Sequence, residues 1–196
     1  MAVINGTNLD DNLPGSSDGD TISGFGGSDT IDGGNGNDRL IGGTGADKLT
    51  GGAGNDVFVY NDREFGNDTI FDLQAGDKID LQGIGVGDMA SLLPFMKQDG
   101  TDVVITFDYD FSDESIRIKN ITVDDLTAGN FFTFNTSTTP RDLTAGSADD
   151  FLFGAGAADK LNGGSGFDTL VGGANNDTLI GGTGGDKLYG GAGNDV

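Results

Sequence analysis

Twelve aspartates stand at nine-residue intervals in two runs, and no other reactive side chain recurs so regularly. Asp11, Asp20, Asp29, Asp38, Asp47 and Asp56 form the first run; Asp150, Asp159, Asp168, Asp177, Asp186 and Asp195 form the second. Carboxylates at fixed spacing among glycines suit the binding of a hard divalent cation. Calcium takes six to eight oxygen ligands at about 2.3–2.6 Å and mixes carboxylate with carbonyl. Magnesium suits the pattern less well, because it keeps its waters and demands octahedral geometry. Two carboxylates stacked about 5 Å apart repel by roughly 3 kcal/mol at an effective dielectric of 20. A row of such pairs needs a cation to close. Neither run contains Glu, and the chain's only two are Glu64 and Glu114. A carboxylate pinned close to its own turn favours the shorter side chain.

The elements that must position these groups are read from residues 33–59: GGNGNDRLI, GGTGADKLT and GGAGNDVFV. Each copy follows G-G-x-G-x-D-x-U-x, with U a large apolar residue. The first six positions form a turn and the last three a strand. Glycine at positions 1, 2 and 4 is expected to serve left-handed backbone that a Cβ disfavours. Side chains alternate in the strand, so U points inward and its neighbours outward. Two repeats then close one coil of a flattened helix, and coils stack at about 4.8 Å. Asp38 and Asp56 fall on one edge, Asp29 and Asp47 on the other. The turn glycines Gly33, Gly36, Gly42, Gly45, Gly51 and Gly54 join the aspartates as candidate metal-site residues. In the second run Gly163, Gly166, Gly172, Gly181 and Gly184 do the same.

The register extends backward to Gly6 through Ile31, Ile22 and Leu13, so the first block occupies residues 1–59. A second block, residues 145–196, places Leu152, Leu161, Leu170, Leu179 and Leu188 at the buried position. Its last copy stops at Val196 before the apolar residue, and the chain reads as a cut-out from something longer. Residues 135–144 read as a Thr/Ser/Pro linker.

Residues 60–134 follow a different pattern. Short strands are expected at Asp68–Leu73 and Lys78–Leu81 around a Gln74–Asp77 turn, with a further hairpin at Val103–Phe107 and Ser115–Ile118. A helical turn near Met89–Met96 is broken by Pro94, and Phe131, Phe132 and Phe134 read as core. Asp68, Asp72, Asp77 and Asp80 read as turn formers and solvated strand residues in preference to the alternative, further metal ligands. The acidic run Asp108, Asp110, Asp113 and Glu114 is expected as a solvated loop.

Composition narrows the function. A net charge of −22 and a pI near 4.1 oppose binding to nucleic acid or an anionic membrane. The chain has no Cys, His or Trp. Ordinary zinc sites, Ser-His and Cys-His nucleophile pairs and disulfides are therefore out, and no catalytic constellation is present. A metal is the remaining staple for a Cys-free chain of this kind. The N-terminus lacks the basic and apolar regions of a secretory signal. No run approaches the length of apolar sequence that a membrane span requires.

The nonapeptides resemble those of RTX proteins. The passage from GGAGNDVFVY through DTIFDLQAGDKIDL resembles the C-terminal module of serralysin-type metalloproteases and the R-modules of alginate epimerases. The resemblance implies an all-β chain: two parallel β-roll blocks joined by a β-rich capping segment. It implies several calcium ions per block, held by the sixth-position aspartates and turn carbonyls. It also implies a secreted or cell-surface location, export by type I secretion machinery without an N-terminal signal, and neighbouring domains in a longer chain. On this reading the chain is a structural calcium module. The alternatives are the non-catalytic tail of a secreted protease, epimerase or lipase, and a calcium-stiffened segment of an adhesin or surface-layer protein.

Overall fold

The computed structural model describes residues 1–84, 86, 89–109, 112–128, 131–133 and 139–196. These divide into two compact units. The first comprises Met1–Asp80, Phe95–Phe107 and Asp113–Thr133; the second comprises Leu81–Pro94, Asp108–Ser112 and Phe134–Val196.

In the first unit the repeats supply β1 (Val3–Asn5), β2 (Asn12–Pro14), β3 (Thr21–Gly26), β4 (Thr30–Asp32), β5 (Arg39–Thr44), β6 (Lys48–Thr50) and β7 (Val57–Val59). Odd-numbered strands stack in one parallel sheet and even-numbered strands in the other. Val3, Thr21, Arg39 and Val57 are successive partners along the first sheet, each two repeats beyond the last. Two nonapeptides therefore make one coil. One side chain per strand faces inward, and this column is the core: Ile22, Ile31, Leu40, Leu49 and Phe58 are at most 1 % exposed. Each such burial stabilises the fold by about 1.5–3 kcal/mol.

The segment after Val59 carries both sheets onward. It supplies β8 (Asn67–Ile70), β9 (Lys78–Asp80), β10 (Met96–Asp99), β11 (Asp102–Tyr109), β12 (Ser112–Ile118) and β13 (Phe132–Thr133). β8 and β9 do not pair with each other. β9 stacks on β7 and β8 on β6, both parallel, and the step along the chain is longer here than between earlier coils. Three extra residues in the turn between Tyr60 and Asp68 account for the difference. β10 and β11 form an antiparallel pair beyond β12. Tyr60, Phe65 and Phe107 are buried in edge-on succession, with ring centroids 4.8 and 5.9 Å apart. Phe131 and Phe132 are buried as expected, while Phe134 lies outside the described residues.

The second unit contains β14 (Asp142–Thr144), β15 (Phe151–Ala155), β16 (Lys160–Ser165), β17 (Thr169–Ala174), β18 (Thr178–Thr183) and β19 (Lys187–Ala192). They form two parallel sheets, β14-β16-β18 and β15-β17-β19, again with a step of two repeats. β14 falls in the stretch that composition marks as a linker, of which residues 135–138 lie outside the described residues. Leu161 and Leu170 are fully buried, whereas Leu188 is 47 % exposed. Leu152 and Leu179, expected at the buried position, are only half-buried, while Phe151, Phe153 and Val171 beside that position are buried, and the helix Met89–Leu92 packs on β17 and β19.

The contrast between buried and exposed inward positions is measurable. Leu40→Ala is expected to cost about 2–5 kcal/mol in denaturant unfolding at millimolar calcium, through lost transfer energy and a residual cavity. Leu188→Ala should cost well under about 1 kcal/mol, the range of surface changes. Similar losses at the two sites would show that burial does not set what an inward-column residue contributes.

Candidate metal centre

The turn aspartates form ladders, one carboxylate per coil. Each Oδ1 accepts the backbone N–H of the aspartate one coil earlier. On one edge the N–H of Asp11 donates to Asp29 at 2.8 Å, that of Asp29 to Asp47 at 2.8 Å, and that of Asp47 to Asp68 at 2.9 Å. On the other edge Asp20 donates to Asp38 at 2.7 Å, Asp38 to Asp56 at 2.8 Å, and Asp56 to Asp77 at 2.9 Å. The second unit repeats the arrangement. There Asp150 donates to Asp168, Asp159 to Asp177, Asp168 to Asp186 and Asp177 to Asp195, at 2.7–3.0 Å. Arg141 takes the aspartate's place at the start, its N–H donating to Asp159 at 2.6 Å.

The second oxygen of these carboxylates is the chemically telling one. Asp29, Asp38, Asp47, Asp56, Asp68, Asp159 and Asp168 each bury Oδ2 with no hydrogen-bond partner. A buried acceptor left unpaired costs about 1–3 kcal/mol, more when charged. Burial, the largest influence, pushes the carboxyls of Asp29, Asp38, Asp56 and Asp159 above the ordinary range. Asp47 is pushed up to about 6 and Asp68 to about 8. Asp20 behaves oppositely: the Ser16 hydroxyl on its Oδ2, at 2.7 Å, holds it below the ordinary carboxylate value.

Asp68 and Asp77 are not solvated turn formers, as their sequence context suggests, but buried ladder members at 1 % exposure. The three-residue insertion hides their register, which resumes beyond it: Asp68 and Asp77 are again nine apart, each two residues before a buried Ile. Asp72 accepts the N–H groups of Gly51 and Gly52, both at 2.8 Å. Asp80 is half-buried with an Arg39 nitrogen at 3.8 Å. Glu114 is likewise no loop residue: it lies in β12, 4 % exposed, and accepts the N–H of Gly66. Asp108 and Asp113 also fall within strands, β11 and β12, and Asp110 lies outside the described residues.

Glycine serves two separate needs in these turns. Fourth-position Gly36, Gly45, Gly54, Gly166 and Gly184 are left-handed, as expected. First-position Gly33, Gly42, Gly51, Gly163, Gly172 and Gly181 are not, contrary to the reading from spacing. They are glycine for space: a Cβ on Gly33 would come 2.6 Å from Asp38 Oδ2 and 2.5 Å from the Gly51 carbonyl oxygen. The turn thus brings a carboxylate oxygen and a neighbouring coil's carbonyl to one point. Among the described residues no three carboxylates converge, so main-chain carbonyls must supply most ligands of any bound ion. That donor set, hard oxygens with few full charges, fits calcium.

Three comparisons bear on this geometry. The family model for RTX calcium-binding nonapeptide repeats (4 copies) matches residues 5–40, 32–62, 142–170 and 171–196. No curated protein matches the chain. Among solved structures, the AlgE6R2 subunit of the Azotobacter vinelandii mannuronan C5-epimerase is similar at a TM-score of 0.58 and 29 % identity. That match covers 69 % of this chain and 94 % of the subunit. The AlgE6R3 subunit of the same epimerase gives a TM-score of 0.51 and 31 % identity, covering 66 % of this chain and 80 % of its own. The extracellular lipase LipA of Serratia marcescens shares the fold at a TM-score of 0.56 and 22 % identity, over 67 % of this chain and 20 % of the lipase. With matched repeats spanning more than half of its length, the chain belongs to the family of RTX calcium-binding nonapeptide repeat proteins.

Proposed function

We propose that this chain is a calcium-folded structural module of a secreted protein, holding several ions along its turn edges. The observation that carries the reading is the row of buried, unpartnered Oδ2 atoms at one-coil spacing. Asp29, Asp38, Asp47, Asp56, Asp159 and Asp168 are the anionic ligands, joined by the carbonyls of first- and fourth-position turn residues. Bound calcium would supply the positive charge that these oxygens lack. It would also bind the folded state alone, so that its binding energy becomes folding energy. The many glycines oppose folding through backbone entropy. At an affinity of about 10⁻⁴–10⁻³ M, typical of extracellular modules, the chain stays unfolded in a low-calcium cytosol and folds after export. This suits passage through a type I channel. A second reading, a non-catalytic part of a larger secreted enzyme, is favoured by the near-complete coverage of an epimerase subunit.

Circular dichroism during a calcium titration tests the main reading. The expected outcome is weak β signal in chelator and a cooperative rise by millimolar calcium; equal signals in both would refute it. The pH dependence has a definite sign. Burial raises the carboxyls of Asp47 and Asp68 from 3.8 to about 6 and about 8. In metal-free protein their contribution to stability is full below about pH 4 and is lost as pH rises through 6 and 8. Calcium binds the ionised carboxylates, while the unfolded metal-free chain takes up protons only around pH 4, so calcium-coupled folding should need more calcium and release protons as pH falls toward about 4. Calorimetry in buffers of different ionisation enthalpy reads the released protons directly. A calcium midpoint that does not move between pH 7 and about pH 4 would contradict the carboxylate-ligand account.

A further inference from the structure

The turns are not all alike. At Asp11, Oδ2 accepts both the N–H of Thr7, at 2.6 Å, and its hydroxyl, at 2.8 Å. At Asp20 the N–H and hydroxyl of Ser16 do the same, at 2.8 and 2.7 Å. At Asp150 the N–H of Gly146 reaches Oδ2 at 3.2 Å. Thr7, Ser16 and Gly146 all occupy the second position of their repeats, and none is left-handed. In the nonapeptide turns where Oδ2 is buried and unpartnered, the second residue of the repeat is left-handed; Glu64, at the corresponding place before Asp68, is not. The left-handed residue is Phe25 at φ 72°, Gly34 at 94°, Gly43 at 102°, Gly52 at 93°, Ala155 at 97° and Gly164 at 97°, facing Asp29, Asp38, Asp47, Asp56, Asp159 and Asp168 in turn.

A backbone angle and an orphaned oxygen, two independent observations, therefore coincide in these six turns; Gly173, Gly182 and Gly191, before Asp177, Asp186 and Asp195, are left-handed as well. Phe25 and Ala155 sharpen the correlation. Each keeps a left-handed backbone despite its Cβ, a conformation that costs energy and persists where the surroundings require it. Phe25 is also 51 % exposed, so burial of its ring is only partial compensation.

We propose that the second residue of each repeat decides whether its turn takes a cation. Left-handed turns are open and hold calcium; the turns of Asp11 and Asp20 are closed by their own N–H and hydroxyl groups, that of Asp150 by an N–H alone, and these do not. The inference rests on the calcium reading above and narrows it. The first coil becomes a metal-free cap on which the ion-dependent coils stack. The far end of one edge is closed in a related way, since Asp77 Oδ2 accepts the N–H of Gln74 at 2.7 Å. On that edge the open carboxylates Asp38 and Asp56 are bracketed by closed ones, Asp20 and Asp77; on the other edge Asp11 is closed and Asp29 and Asp47 are open.

Equilibrium dialysis of the full chain against radioactive calcium counts bound ions and tests the assignment. Asp11→Asn and Asp20→Asn should leave the count unchanged, with less than a twofold shift in midpoint. Asp38→Asn and Asp47→Asn should each lose at least one ion. A loss at Asp20→Asn equal to that at Asp38→Asn overturns the inference while leaving the calcium reading intact. The double variant Thr7→Gly, Ser16→Gly opens both capped turns and should gain at least one ion; an unchanged count also overturns it. A native chain that binds no calcium would defeat the calcium reading itself, and this inference with it.

Discussion

A carboxylate that spends one oxygen on the neighbouring coil and has no protein partner for the other is the constraint around which the rest of this chain is arranged. The bond from an aspartate N–H to the next Oδ1 ties coils together along both edges. Because the acceptor is charged, such a bond is shorter and stronger than an ordinary amide pair. The same geometry strands Oδ2 in a site too buried for water to solvate it. A fold with seven such atoms among its described residues is incomplete as protein alone. Calcium fits the deficit in charge, in hardness and in its tolerance of mixed ligands.

Other features follow from holding that carboxylate close to its turn. First-position glycine leaves room for the aspartate oxygen beside Gly33, and a longer acid would not fit the same gap. The inward apolar column supplies sequence-neutral stacking energy, so that aspartates and glycines can be devoted to the edges. Acidity is the consequence: a net charge of −22 is tolerable when much of it faces bound cations and disabling when it does not. The aromatic group Tyr60, Phe65 and Phe107 provides in the first unit what a repeat cannot, a bulky cluster beside the last repeat strand. Tyr60 buries its hydroxyl there, near Asp68 and Asp47.

Much of this was legible from residue spacing. Nine-residue periodicity, with one apolar and one acidic phase, dictates coil length, strand face and which aspartates share an edge; Asp38 above Asp20 and Asp47 above Asp29 are read directly from it. Three things were not legible. Asp68 and Asp77 lost their phase to three inserted residues, although the Asp-x-Ile triplets that mark them remain visible. Glu114 looked like one more charge in an acidic run, because the strand pairing that buries it, Ser115 on Asn67, joins segments far apart in the chain. First-position glycine seemed a matter of dihedral freedom, when the crowding that requires it comes from another coil. Local pattern reports what a residue does within its own turn and is silent on what lies across the stack.

The alternation of strands between two sheets has a consequence for how such chains can change length. Deleting or duplicating a pair of repeats removes or adds a whole coil and leaves every downstream strand in its original sheet. A change of one repeat would move each later strand to the opposite sheet and exchange the two edges, so that Asp68 and Asp77 would trade sides. A short insertion within a turn, as between Tyr60 and Asp68, disturbs neither. Genetic duplication in this lineage is thus filtered by parity: repeats should be gained and lost in pairs, while variation in single residues collects at the corners.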